Sequence, residues 1–211
     1  MLTLYFSPGA CSMASHIGLE ETGAPYEEKP VIIGKGEQKT EAYLKINPRG
    51  KVPALSVDGR IITENTAILT YLARRFPEKN LIPSDPVGEA HCIGAMAWFS
   101  NTLHPAYRHY FRPEAFVEGA AAQASLKESG RKAYWNACAE IDALLAGKTW
   151  MMGTQYTVAD PYGLVFYSWG VRGNLPMQEL AHYTAWKSRM LERPAVRKIL
   201  EREGNVLVKP A

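Results

Sequence analysis

The alternation of apolar and polar positions changes about a third of the way along the chain. Before that point, short apolar runs alternate with stretches of helical spacing, which predicts strands at 2–6, 26–33, 52–57 and 60–63 and helices at 12–23 and 64–76. Asp58-Gly59 separates the last two strands and is a preferred hairpin turn. Because strand–helix–strand units give parallel pairs and hairpins give antiparallel ones, this region predicts a mixed four-stranded sheet covered by helices.

Beyond residue 87 the strand signals nearly vanish. Amphipathic stretches at 87–110, 124–146, 160–171, 179–192 and 194–203 indicate a helical bundle. The preceding segment, PEKNLIPSDP, carries prolines and shows no periodicity, which is typical of a linker. The pattern therefore predicts an α/β domain over 1–77, a linker over 78–86 and an all-α domain over 87–211.

Composition narrows the class of protein. Hydrophobic residues make up 46% of the chain, charged residues 21%, and the net charge is +3, too small to indicate a nucleic-acid partner. No apolar run predicts a membrane span, and no basic leader precedes an apolar core. The three cysteines, widely spaced, do not suggest a disulfide framework, so we expect a reducing cytoplasm. No cluster of His, Cys and carboxylate residues has metal-ligand spacing, and we expect no metal.

Cys11 is the first candidate for chemistry. It lies in the loop between the first strand and the first predicted helix, where unpaired N–H groups and the helix dipole stabilise a thiolate. We therefore expect a depressed thiol pKa and a nucleophile near neutral pH. A buried structural cysteine is the alternative. Ser12 is a second candidate, ahead of Ser7 and Tyr5.

Two further stretches, KVPAL (51–55) and ITENTAI (62–68), combine strand and helix ends. Pro53 can open an edge strand or follow a cis bond that turns the Val52 backbone outward. Backbone amides at the start of the helix after Glu64 can hold a carboxylate, while Glu64 can hold an ammonium group. The alternative is simple capping by Thr63 or Asn65. A site of this kind would suit an amino-acid zwitterion.

SPGACS, INPRGKVPAL and ITENTAILTYLA, followed by a helical half with TVADPY at 157–162, resemble a cytosolic glutathione transferase of the bacterial beta class. The resemblance covers nearly the whole chain. It implies a thioredoxin-like N-terminal domain that binds glutathione as co-substrate, a helical C-terminal domain and a homodimer. It implies that TVAD is a structural capping motif, in which Thr157 caps the helix and Asp160 reciprocates.

The resemblance also implies roles for individual residues. Cys11 faces the glutathione sulfur with Ser12 beside it, Val52 offers backbone hydrogen bonds and Pro53 is cis. Glu64 and Asn65, the latter replacing the usual Ser, hold the γ-glutamyl end. Either Lys35 or Lys39 supplies the lysine of the preceding loop. His104 faces the cysteine from the long helix, followed by Pro105 in place of a common Lys.

His104, Tyr107, Arg108 and Phe111 share one face of that helix, and Pro105 should kink it. Aromatic residues at helical spacing usually belong to the core. We nevertheless expect Tyr107, Arg108, Phe111 and Trp169 to line a pocket for a second, apolar substrate. The predicted function is conjugation of glutathione to small hydrophobic electrophiles. The alternatives are glutathione-dependent thiol–disulfide reduction through Cys11 and non-catalytic binding of apolar ligands.

Overall fold

The computed structural model describes residues 1–208, so residues 209–211 of the predicted helical domain lie outside it. Four strands and nine α-helices follow one another in the described part of the chain. The strands are β1 (Leu2–Phe6), β2 (Tyr26–Pro30), β3 (Ala54–Val57) and β4 (Arg60–Thr63). The helices are α1 (Met13–Thr22), α2 (Glu41–Leu44), α3 (Asn65–Arg75), α4 (Pro86–Trp98), α5 (His104–Phe111), α6 (Ala120–Leu145), α7 (Ala159–Arg172), α8 (Ala181–Glu192) and α9 (Pro194–Arg202).

The sheet has the order β2-β1-β3-β4. β1 runs parallel to β2, with Leu2 opposite Tyr26, and antiparallel to β3. The hairpin between β3 and β4 turns through Asp58 at φ 49° and Gly59 at φ 85°, the positive angles that a type I′ turn requires. The mixed four-stranded sheet and the hairpin are therefore confirmed. β2 ends at Pro30, three residues before the predicted end, and lies at the sheet edge, where a strand proline is tolerated.

Helices α1 and α3 form one layer against the sheet. Apolar residues of both helices are buried: Met13, Ile17 and Leu19 on α1, and Ile68, Leu69 and Leu72 on α3. The helical half forms the larger part of the core and packs on α1 through α7 and α9. The α/β domain followed by a helical domain is as predicted.

The segment predicted as a linker is held in place by the helical half. Pro77–Lys79 form a 3₁₀ turn, and Leu81 is buried. The N–H of Val158 donates to the carbonyl of Leu81 at 2.8 Å. Because its backbone carbonyls accept hydrogen bonds from Val158 and Gln155 in the helical half, the segment has a defined conformation although its sequence has no periodicity.

The TVAD segment starts α7 around a buried carboxylate. Asp160 accepts from the backbone N–H of Thr157 and of Met151, each at 2.8 Å, and from the indole of Trp186 at 3.0 Å. The Thr157 hydroxyl also donates to Asp160, at 3.2 Å. The predicted box is thus half formed: Asp160 reciprocates, whereas Thr157 turns its hydroxyl to the carboxylate and does not cap a backbone N–H.

The long helix predicted over 87–110 is interrupted. One π-helical turn, Phe99–Leu103, separates α4 from α5, and Pro105 follows at the second position of α5. Proline removes a backbone donor and crowds the preceding turn, and a widened turn accommodates both effects. The helix is therefore distorted next to Pro105, as predicted, and His104 directly follows the π-helical turn.

Candidate active site

Cys11 lies in the loop between β1 and α1 and is partly exposed. Its thiol is 3.5 Å from the carbonyl oxygen of Val52, the residue that precedes the cis Pro53. The backbone carbonyl of Cys11 accepts from the side-chain amide of Asn65 at 2.9 Å. Three stretches that are far apart in the sequence therefore meet at Cys11: the first loop, the segment before β3 and the start of α3.

Ser12 is fully buried at the start of α1. Its hydroxyl accepts from the N–H of Ser7 at 3.0 Å and donates to the carbonyl of Ser7 at 3.2 Å. The expected contact between Ser12 and a reacting sulfur is therefore not available in this arrangement, because the hydroxyl proton is already donated inside the loop. Ser12 fixes the turn that presents Cys11.

The expected depressed pKa of Cys11 is wrong for this structure. Although the residue is partly exposed, desolvation by the surrounding protein raises the pKa of the thiol to about 12. It outweighs the backbone hydrogen bond, the Asn65 hydrogen bond and the charge of Lys51, which lower the pKa. The carboxylate of Glu64 raises it further. α1 begins at Met13, so Cys11 stands before the first helical turn, and its thiol lies against a carbonyl oxygen, which favours the protonated form. Cys11 is a hydrogen-bond donor here.

Glu64 and Asn65 begin α3 but face different surroundings. Glu64 is exposed and adopts φ 71°. Its carboxylate forms an ion pair with the guanidinium of Arg49 at 3.3 Å. A non-glycine residue at positive φ is strained, and such strain is concentrated at functional sites. Asn65 is buried, with its side-chain oxygen 2.6 Å from the Ser15 hydroxyl. Both ends of its side chain are occupied, so the backbone N–H is what Asn65 can offer a ligand.

Lys35 and Lys39 remain equivalent candidates. Both are exposed, in the consecutive 3₁₀ turns Ile33–Lys35 and Glu37–Lys39, and neither forms an ion pair within residues 1–208. Lys51 was missed by the sequence analysis. It is exposed, immediately precedes Val52, and its charge lowers the pKa of both Cys11 and His104. Its position inside KVPAL was the available signal.

His104 begins α5 directly after the π-helical turn and is partly exposed. Its ring packs edge-on against Trp169 at 5.0 Å between centroids. Burial, helped by the charges of Arg108 and Lys51, lowers the pKa of His104 to about 4. The imidazole is therefore neutral near pH 7.

Three of the predicted second-substrate residues, Trp169, Tyr107 and Phe111, form an aromatic stack. The ring centroids of Trp169 and Tyr107 are 4.4 Å apart, and those of Tyr107 and Phe111 are 5.1 Å apart. Trp169 and Tyr107 are only 5% and 3% exposed, whereas Phe111 is 47% exposed. Trp169 and Tyr107 thus belong mainly to the core, and Phe111 presents the open surface. Arg108 is partly exposed and lies over the ring of Phe116 at 4.9 Å.

Arg172 was also missed. This exposed residue at the end of α7 donates through two nitrogens to the hydroxyl of Tyr107, at 3.2 and 3.1 Å, and through the third to the carbonyl of Gly9 at 3.1 Å. Its guanidinium lies 5.1 Å from the centre of the Phe111 ring. No local pattern marks it, because its partners lie in other parts of the chain.

Gly9, two residues before Cys11, is held from both sides. Its carbonyl also accepts from the indole of Trp169 at 3.0 Å, and its N–H donates to Glu203 at 2.9 Å. The other oxygen of Glu203 lies 2.8 Å from buried His16 on α1. Gly9 has φ 69°, which a residue with a side chain adopts only with strain. Residues after position 168 thus fix the loop that carries the thiol.

Over residues 1–208, no group of three or more His, Cys, Asp or Glu side chains could hold a metal ion. No helix in the same range is long and apolar enough to cross a membrane.

The fold and the cysteine loop define a thioredoxin-like domain joined to a helical domain, and comparisons identify the family. The family description "Glutathione S-transferase, N-terminal domain" matches residues 1–74. Glutathione S-transferase GstA of Escherichia coli O157:H7 is 32% identical over 96% of this chain and 99% of its own length. The chain belongs to the glutathione S-transferase family.

Solved structures agree with this assignment. A glutathione transferase homologue from Sulfitobacter, with bound glutathione, superposes with a TM-score of 0.90 at 30% identity, covering 96% of this chain and 98% of that one. A bacterial beta-class glutathione S-transferase from Sphingomonas chungbukensis gives a TM-score of 0.84 at 33% identity, covering 96% and 98%.

Proposed function

We propose that this protein conjugates the thiolate of glutathione to small hydrophobic electrophiles. The observation that carries the proposal is the meeting of three motifs at Cys11, through the thiol contact to Val52 and the Asn65 hydrogen bond to the Cys11 carbonyl. Through these contacts the backbone at Val52, the start of α3 and the Cys11 thiol are neighbours, and a helix start of this kind can bind an anion. A γ-glutamyl tripeptide has matching groups in the same order.

Glutathione would lie along the backbone of Val52, next to cis Pro53. Its γ-glutamyl carboxylate would accept from the N–H groups at the start of α3, beginning with Asn65, and its ammonium would pair with Glu64. The glycyl carboxylate would reach Lys35, Lys39 or Lys51. Of these three, Lys51 lies nearest in sequence to Val52 and is electrostatically coupled to Cys11.

The sulfur of glutathione would lie beside Cys11. A protonated Cys11 thiol can donate a hydrogen bond to that sulfur and so stabilise its thiolate form. His104, held neutral by its low pKa, can accept a proton but is a weak base. In this arrangement the cosubstrate brings the nucleophile and the protein supplies its position and its donors.

The disulfide-reductase alternative needs Cys11 itself as the attacking thiolate. The burial that raises its pKa works against that role. Nothing in the described contacts favours non-catalytic binding over conjugation. Relatives that carry the transferase name, and a structural neighbour with bound glutathione, support the conjugating assignment.

Three assays of the purified protein test the proposal. Calorimetry should detect glutathione binding, 1-chloro-2,4-dinitrobenzene should be conjugated, and a mixed disulfide of glutathione should be reduced more slowly than the aryl halide is conjugated. Faster disulfide reduction, abolished by Cys11→Ala, would establish the reductase instead. Binding without either reaction would leave a carrier.

The proposal extends to a beta-class enzyme of the cytoplasm that detoxifies electrophiles and acts as a homodimer. Light scattering should give about twice the 23.5 kDa of one chain. A mass of one chain at working concentration would remove the dimer from the proposal and leave the activity untouched.

A further inference from the structure

Two arginines lie near the exposed ring of Phe111: Arg172, whose guanidinium is 5.1 Å from the ring centre, and Arg108, which precedes Phe111 by about one turn of α5. We infer that the second-substrate surface takes an aromatic electrophile carrying a negative charge, with its ring on Phe111 and its anionic group on Arg108 and Arg172. This inference rests on the proposed conjugating function and names the substrate class.

Three aromatic rings form a continuous stack. Trp169, Tyr107 and Phe111 follow one another with interplanar angles of 20° and 13°. The stack starts in the core and ends at Phe111, the most exposed of the three residues. A further aromatic ring can add to this end in the same stacked geometry.

The two arginines supply positive charge beside the stack. The three hydrogen bonds of Arg172 all go to neutral acceptors, the Gly9 carbonyl and the Tyr107 hydroxyl, and two of its five N–H groups remain for a ligand. Within residues 1–208, neither Arg172 nor Arg108 forms an ion pair with a carboxylate. Arg112, one turn beyond Arg108, contrasts with both because it pairs with Glu114 at 3.3 Å.

The location connects these groups to the reacting sulfur. Arg172 binds the carbonyl of Gly9, two residues before Cys11, and lies 5.1 Å from the Phe111 ring. Arg108 is one helical turn after His104 on α5, and its charge acts on that imidazole. An anion held by the arginines would therefore keep the ring on Phe111 close to the cysteine loop.

A matched substrate pair tests the inference. 4-Chloro-3,5-dinitrobenzoate is anionic, and its methyl ester has the same leaving group without the charge. With both, the glutathione sulfur bonds to the ring carbon that bears chlorine, chloride leaves with the electrons of the broken bond, and the thiol proton goes to solvent. Each kcat/KM is divided by the uncatalysed second-order rate constant, so that intrinsic reactivity cancels.

We expect the wild-type protein to prefer the acid by about five- to tenfold, since a hydrogen-bonded ion pair that is partly exposed contributes this much. Arg108→Gln and Arg172→Gln should each remove most of the preference, mainly through KM for the acid. Arg172→Lys should keep part of it. Arg112→Gln, the matched control, should keep it whole. Raising the salt concentration should reduce the preference.

Other outcomes overturn the inference. One is a wild-type protein that uses the ester as well as the acid, or better. Another is an Arg172→Gln variant with a raised KM for glutathione and an intact preference for the acid, because Arg172 would then hold the glycyl carboxylate. Arg172→Gln also removes a contact to the Gly9 loop, so the Arg108→Gln and salt results decide if that variant does not fold. Loss of conjugation with both substrates and with 1-chloro-2,4-dinitrobenzene would instead mean that the proposed function itself fails.

Discussion

The starts of α1 and α7 are built from similar small polar residues but have opposite uses. At α7, Asp160 accepts four hydrogen bonds, and each of its polar contacts is made within the protein. At α1, the Ser12 hydroxyl is hydrogen-bonded to the backbone of Ser7. Cys11, by contrast, is partly exposed, and its thiol makes one weak contact, with the carbonyl of Val52. A helix start whose polar groups are all hydrogen-bonded within the protein stabilises the fold, whereas one that leaves a reactive side chain unpaired can take part in chemistry. The following predictions test this contrast.

The largest expected effect is on stability, from Asp160→Ala. It leaves buried donors on Met151, Thr157 and Trp186 without an acceptor, which should lower the free energy of unfolding by about 3–5 kcal/mol. Denaturant titration followed by circular dichroism measures this. Asp142→Ala is the matched control, because Asp142 accepts from a single backbone N–H, that of Tyr183, and should cost about 1 kcal/mol. Unchanged melting with lost turnover would make the α7 start a functional element.

The next effect concerns catalysis at the α1 side. His104→Ala should lower kcat/KM by about 10², the low end for groups that assist proton transfer, because a weak base contributes little driving force. The lowered pKa of His104, about 4, means that the neutral imidazole persists as the pH falls from 8 to 5. No loss of rate in that range should therefore depend on His104. Exposed His91 provides the control substitution. A rate that falls below pH 6.5 only when His104 is present would contradict the neutral assignment.

Glu64→Gln tests whether α3 begins a ligand site. Losing the charge that pairs with the glutathione ammonium removes a charged hydrogen bond of about 1.5–3 kcal/mol, so the dissociation constant should rise about tenfold or more. Glu64 is exposed, so stability should change little. Glu41→Gln, which alters another exposed ion pair, is the control for calorimetry. An unchanged dissociation constant would remove the γ-glutamyl end from this helix start.

The smallest expected effect is that of Cys11. A raised pKa leaves less thiolate at neutral pH than a free cysteine has, so alkylation by iodoacetamide should be slow at pH 7 and still accelerate above pH 9. Cys11→Ala should reduce conjugation by about two- to tenfold, because a thiol is a weak donor and its hydrogen bond to the thiolate contributes less than a typical charged hydrogen bond. Half-maximal alkylation well below pH 8.5 would restore the nucleophilic interpretation and, with it, the disulfide reaction.

Much of the fold was predictable because its signals are local. The strand at 2–6 and the hairpin at Asp58-Gly59 depend on alternation and turn chemistry within a few residues. The helix at 124–146 was placed within about one turn of α6. The sequence did not predict that the segment after Phe76 is held against the helical half. The hydrogen bond from Val158 to the Leu81 carbonyl that holds it produces no hydrophobic periodicity.

The candidate site was predictable only in part. Sequence motifs indicated Cys11, Val52 and Glu64. The structure brings Cys11 into contact with Val52, and Glu64 immediately precedes Asn65, which donates to the Cys11 carbonyl. The burial of Ser12 and the engagement of the Asn65 side chain depend on partners in other elements. The same is true of the pKa of Cys11, because desolvation depends on how the whole loop packs and outweighs the helix-start effect.

The contacts of Gly9 with Trp169, Arg172 and Glu203 have a consequence for synthesis. Residues 1–74, which contain Cys11, Val52 and Glu64, leave the ribosome well before residue 203. At about 5–20 residues per second the interval is roughly 6 to 26 s. Throughout that time the cysteine loop lacks the Glu203 acceptor of Gly9, and for most of it the Trp169 and Arg172 donors as well. The nascent N-terminal domain can form its sheet, but the geometry at its thiol is completed only after α9 has been made.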